Sequence, residues 1–144
     1  MVPPAGREQS VPMDDYPELV QTALDATDAR GLAEFYRELL GLRYRLGDEP
    51  PADADWLVLT DAAGTRRLAF QQVDDLPRTT WPDRTVPQQL HLDMRVPDVA
   101  ALERQRDRAL ALGAEIRRDG HDDPEEPIYV LADPAGHPFC IFVG

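Results

Sequence analysis

Hydrophobic positions along the chain change period twice, and in the same order each time. Leu90–Val96 alternates strictly: Leu90, Leu92, Met94 and Val96 share one face, and His91, Asp93 and Arg95 share the other. Side chains on a strand point to opposite faces in turn, so this segment reads as a strand with one apolar and one polar side. Leu19–Thr27 does likewise, with Val20, Thr22, Leu24 and Ala26 opposing Gln21, Ala23, Asp25 and Thr27. Each alternating run gives way to a helical period. Leu32, Phe35, Leu39 and Leu40 form one stripe, and Val99, Leu102, Ala109 and Leu112 form the other. Asp28 and Asp98 stand where N-caps are needed, 70 positions apart, and Gly41 and Gly113 stand where the helices should stop. Helices are therefore expected near Asp28–Leu40 and Asp98–Leu112.

The second half of each unit repeats as well. Val58-Leu59-Thr60-Asp61-Ala62-Ala63-Gly64 answers Val130-Leu131-Ala132-Asp133-Pro134-Ala135-Gly136. Both read as a strand running into a tight turn, with Asp61 and Asp133 as turn formers. Strands should follow at Leu68–Val73 and Phe139–Val143, and shorter ones at Leu42–Leu46 and Ala114–Arg118. The expected architecture is α+β, made of two tandem βαβββ units, residues 19–73 and 90–143. Asp74–Gln88, with three prolines and Trp81, reads as a linker or flap. His121–Pro127 reads as an acidic loop. Residues 1–16 are expected to form a flexible N-terminal arm, leaving 17–144 as a single domain.

Composition then narrows the class. Of 144 residues 42% are hydrophobic, enough for a core, and the formal net charge is −12. All fifteen basic residues are arginine. An acidic chain without a basic cluster is a poor partner for phosphate backbones, so no nucleic acid and no membrane are expected. Cys140 is the only cysteine, which excludes an intramolecular disulfide and a cysteine-based zinc cage. No apolar run reaches the roughly 18 residues of a membrane span, and no signal-peptide stretch opens the chain, so a cytoplasmic setting is expected.

The polar strand faces carry the candidate chemistry. The repeat offset makes Gln21 the counterpart of His91, and Asp25 that of Arg95. His91 suits a general base or a hydrogen-bond anchor, although a structural histidine fits equally well. Gln21 could orient a ligand or make a cross-sheet bond. Asp93 and Arg95 could pair with each other or with Asp25, and Arg95 could clamp a ligand carboxylate. Trp81 is either an aromatic wall over a ligand or a loop anchor. Cys140, between Phe139 and Ile141, reads as an inert buried thiol. Trp56 is expected to pack in the sheet, and neither His121 nor His137 has a clear role.

The helix opening Asp28…Phe35-Tyr36…Leu40-Gly41-Leu42 and the final turn Asp133-Pro134-Ala135-Gly136-His137 resemble the vicinal oxygen chelate superfamily. That superfamily contains glyoxalase I, extradiol dioxygenases, fosfomycin-resistance enzymes and bleomycin-binding proteins. The resemblance covers about Leu19 to Val143. It implies a half-open barrel built from the two units, a small-molecule ligand or substrate in its cavity, and a homodimer. In metal-dependent members it also implies a divalent ion, whose places here fall on Gln21, His91, Cys140 and Leu68, with Ala69 or Phe70 on a small shift. Those places offer one imidazole, one amide, one thiol and no carboxylate. No metal cofactor is therefore expected; if one is present, His91 and Gln21 would hold it. The functions implied are a glyoxalase-like enzyme without a strong metal site, a non-catalytic antibiotic-binding protein, or a metal-dependent lyase or dioxygenase.

Overall fold

The computed structural model describes residues 15–51 and 54–144. Of the expected N-terminal arm only Asp15 and Tyr16 fall among them, and both are exposed; the rest of the arm lies outside the described residues. The first unit runs β1 (Thr22–Ala26), α1 (Ala29–Leu40), β2 (Arg43–Tyr44), β3 (Trp56–Thr60) and β4 (Arg66–Gln72). The second runs β5 (Leu92–Val96), α2 (Val99–Ala111), β6 (Glu115–Gly120), β7 (Ile128–Ala132) and β8 (Pro138–Val143). Each unit makes its own open four-stranded sheet, in the order β1-β4-β3-β2 and β5-β8-β7-β6. In both, the first strand pairs parallel with the last and the remaining pairs are antiparallel. The two tandem βαβββ units expected from the repeat are present.

The local devices are duplicated with the topology. Asp28 Oδ1 accepts from Gly31 N at 3.0 Å, and Asp98 Oδ1 accepts from Ala101 N at 2.8 Å, so each helix begins on a satisfied cap. Gly41 ends α1 in the left-handed conformation at φ 66°, where a Cβ would be strained. Asp61 Oδ1 accepts from Ala63 N and Thr65 N, and Asp133 Oδ1 accepts from Ala135 N and His137 N, all at 3.0 Å. Both aspartates hold the turn before the last strand by one mechanism.

Two details of the helical stripes differ from expectation. Leu40 and Val99 are exposed, while Ala29, Ala33 and Tyr36 are buried in α1 and Ala101 is buried in α2. Leu40 lies about 100° round the helix from Leu39, past the edge of the buried face. Strand β5 also starts at Leu92 and not Leu90. Its parallel partner β8 begins at Pro138, which has no N–H with which to extend the ladder.

One apolar core draws on both units, including Leu24, Leu32, Phe35, Phe70, Leu102, Leu131 and Phe139. Helix α1 is the common wall. Tyr36 stacks on Phe70 of the first sheet at 6.0 Å and meets Phe139 of the second edge-on at 6.2 Å. Its hydroxyl donates at 2.7 Å to Asp133 Oδ2 across 97 residues of sequence. Three further contacts tie the units together. Arg108 of α2 donates to the last carbonyls of α1, reaching Glu38 O at 2.8 Å. His137 Nε2 lies 2.6 Å from Asp25 O. The connector is pinned to the β7–β8 turn by Thr79 N to Gly136 O at 3.0 Å and by Arg78 Nη1 to Pro134 O at 2.9 Å. Gly136 is required there, since a Cβ on it would stand 2.8 Å from Arg78 Cα.

Burial pushes the Asp133 carboxyl above the usual carboxylate range, and donation from Tyr36 pulls it back. Tyr36→Phe should remove that donor, cost about 1.5–3 kcal/mol, and raise the Asp133 titration further. Urea unfolding checks the first and carboxyl NMR the second; an unchanged midpoint would show that the bond contributes nothing.

Candidate functional site

The face of each sheet that lies opposite the helices holds the polar residues of the alternating strands. In the second sheet, Asp93 of β5 pairs in register with Cys140 of β8, so their side chains stand next to each other on that face. His91, one strand repeat before Asp93, joins them. Its Nε2 is 3.1 Å from Asp93 Oδ1, and Nδ1 is 2.9 Å from Gln88 Oε1 at the end of the connector. Ligand atoms of His91, Asp93 and Cys140 all lie within 4.8 Å of one another. Asp93 thus brings a carboxylate beside Cys140 that the motif places alone did not offer.

The first sheet does not mirror this. The register that pairs Asp93 with Cys140 pairs Ala23 with Ala69, so two methyl groups stand where the second sheet has carboxylate and thiol. Leu68 faces the core, which leaves Ala69 as the counterpart of Cys140. Gln21 Oε1 is buried from solvent and has no hydrogen-bond partner among the described residues. Gln21 is therefore not bonded to His91 through that oxygen.

Two cavities adjoin the cluster. One, of about 420 Å³, lies between β1, the connector and the β7–β8 turn, and is lined in part by Asp25, Pro77, Val86, Gln88 and His137. The other, of about 560 Å³, opens between β1 and β5, with Leu42, Leu68, Leu92 and Met94 as its apolar lining and Asp61, Arg67, Asp93 and Arg95 as its charged groups. Both are in the size range of small-molecule sites. His91 lines neither cavity, but its ring nitrogens meet one lining residue of each, Gln88 of the first and Asp93 of the second.

The remaining candidates are placed as follows. Arg95 is exposed on the rim of the larger cavity. Trp81 lines neither of these two cavities; its carbonyl accepts from Arg117 Nε and Nη2 at 3.0 and 2.9 Å, which anchors the connector to β6. Trp56 is in β3 but partly exposed. Gln88, Arg67, Asp61 and His137 also belong to the site surroundings, although no pattern in the sequence assigns them to it. Gln88 and His137 lie in connecting segments, where no periodicity betrays direction.

Burial, with Asp93 beside it, pushes the Cys140 thiol up to about 11. The thiol form therefore dominates at neutral pH, as an inert cysteine requires. Iodoacetamide should label Cys140 in the native protein only slowly at pH 7.5, and faster as pH rises toward 11. Rapid labelling at neutral pH, followed by mass spectrometry, would contradict this.

The glyoxalase-like domain family profile matches residues 21–142. Among solved structures, the chain is similar to a glyoxalase/bleomycin resistance protein/dioxygenase family enzyme from Burkholderia phytofirmans PsJN, at 16% identity and TM-score 0.66. That match covers 88% of this chain and 98% of the other. A glyoxalase/dioxygenase from Nostoc punctiforme aligns at 19% identity and TM-score 0.64, covering 92% and 94%. The fosfomycin resistance protein FosX from Listeria monocytogenes, solved with Mn(II) and sulfate, aligns at 18% identity and TM-score 0.61, covering 90% and 93%. At these identities the likeness establishes the fold. No curated protein matches the chain in sequence.

Proposed function

The chain belongs to the glyoxalase-like domain family of the vicinal oxygen chelate superfamily, and on that premise we propose that it acts on a small organic molecule in the cleft between its sheets, with His91 at the centre and no tightly held metal. The observation that carries this reading is the Gln88–His91–Asp93 chain linking two cavities of ligand size. Gln88 fixes the ring through Nδ1, and Nε2 is turned toward the Asp93 side. A ligand in the larger cavity meets Asp93, whose carboxylate lies 3.1 Å from His91 Nε2, and this pair takes up a proton from the ligand or returns it. The apolar lining excludes water from the ligand's body.

A divalent ion of the kind the superfamily uses does not fit these residues well. Three donors sit on one side and alanines 23 and 69 stand on the other. Both nitrogens of His91 are already engaged, and a thiol with its proton held to about 11 resists becoming a ligand. Gln21 supplies only an amide oxygen. A binding protein without turnover, similar to the bleomycin-binding members, is the second reading. The formal charge of −12 favours it for a cationic ligand. Product formation, as against simple retention of ligand, separates the two.

His91→Ala should weaken ligand binding or turnover roughly tenfold or more, while folding stability changes by only about 0.5 kcal/mol. Metal content, measured on protein purified without chelator, should be substoichiometric before and after the change. Stoichiometric metal that His91→Ala removes would overturn the reading in favour of a lyase or dioxygenase.

We also propose a homodimer and a cytoplasmic setting. No helix among the described residues is long and apolar enough to cross a membrane, and the free Cys140 thiol suits a reducing compartment. Edge strand β6 carries the exposed Ile116, and Leu46 beyond β2 is almost fully exposed, so both outer edges offer surface to a second copy. Sedimentation at micromolar concentration should give twice the chain mass; a monomer would refute the dimer.

A further inference from the structure

We infer that the larger cavity takes a monoanion with an apolar body, an organic carboxylate, whose acid group pairs with Arg95. The inference rests on the cleft reading above and narrows it to a ligand class. It begins with charge accounting around the 560 Å³ cavity. Four charged side chains line it: Asp61, Arg67, Asp93 and Arg95. Asp61 Oδ2 is 3.9 Å from Arg67 Nη1, so that pair offsets itself. Asp93 is engaged by His91 at 3.1 Å. Arg95 has no hydrogen-bond or ion-pair partner among the described residues. Arg95 is therefore the charged group of this lining whose side chain is left without a partner among the described residues.

The side chains of Arg43, Arg66, Arg84 and Arg104 also have no ion-pair partner among the described residues, but none of them lines this cavity. The chain has 27 acidic residues to 15 arginines, and some of the arginines have a carboxylate neighbour. Arg37, Arg45, Arg78 and Arg106 each have one within 4.0 Å. Arg95 instead points along the face that holds Asp93, beside a cavity whose lining includes Leu42, Leu68, Leu92 and Met94. A guanidinium offers a planar fork of N–H donors that matches a carboxylate two bonds at a time. Next to a low-dielectric lining the attraction is stronger than on an open surface. The same lining takes the hydrocarbon part of the ligand. With the acid on Arg95, two strand positions from Asp93, the ligand's neighbouring atoms come to the side of the cavity that Asp93 lines.

The test uses phenylacetate and its neutral isostere phenylacetamide as probes, with binding followed by NMR line-broadening and chemical-shift titration of the full chain at low salt. Wild type should bind the acid roughly tenfold more tightly than the amide, with the difference shrinking as salt screens the exposed rim. Arg95→Gln should abolish the preference for the acid while leaving amide affinity unchanged. Arg104→Gln, on the exposed side of α2, should leave both unchanged. Equal binding of acid and amide by wild type would overturn the anion assignment while leaving the cleft as a ligand site. An acid preference that survives in Arg95→Gln would overturn the role of Arg95. Failure of both probes to bind at millimolar concentration would overturn the proposed ligand class, whereas a crystallographic fragment screen of the full chain tests the cleft reading independently of either probe.

Discussion

The Asp133 carboxylate is the constraint on which the relative placement of the two units depends. One of its oxygens shapes the turn that feeds β8, and the other receives the Tyr36 hydroxyl from the first unit. A carboxylate this deeply buried is tolerated only because every side of it is answered by a donor. The same turn is pressed against the connector through Gly136, and its His137 reaches back to β1. Core, connector and cleft therefore meet at one loop. The cleft between β1 and β5 is what remains when two sheets share a helical wall but do not pair edge to edge.

The duplication explains the scaffold, and its breakage sets the two open faces apart. The N-cap and turn hydrogen bonds repeat in both units, because each solves a backbone problem that both units share. The open faces diverge. Ala23 and Ala69 stand in one sheet where Asp93 and Cys140 stand in the other, so the polar cluster is one-sided. This asymmetry argues against a chelate drawn equally from both halves and favours proton handling by a histidine flanked by an amide and a carboxylate.

Much of the scaffold was legible in the sequence. Period changes located the helices and most strands, and aspartate–glycine punctuation located their ends. The open face carrying His91, Asp93 and Arg95 followed from strict alternation. What could not be read depended on register or on distance along the chain. An irregularity in the β3–β4 ladder between Leu59 and Thr60 precedes Leu68, which turns inward and leaves Ala69 as the partner of Ala23. The Tyr36–Asp133 bond spans 97 residues, and no local pattern reports it. Gln88 lies in a proline-rich connector without period, so its bond to His91 had no signature.

The central claim is that the cleft around Gln88, His91 and Asp93 is where this protein meets its small molecule. A crystallographic fragment screen tests it most directly, because it assumes nothing about the identity of the ligand. Fragments should collect in the two cavities on either side of His91 and contact Gln88 or Asp93. Fragments that gather elsewhere on the surface and leave both cavities empty would contradict the account.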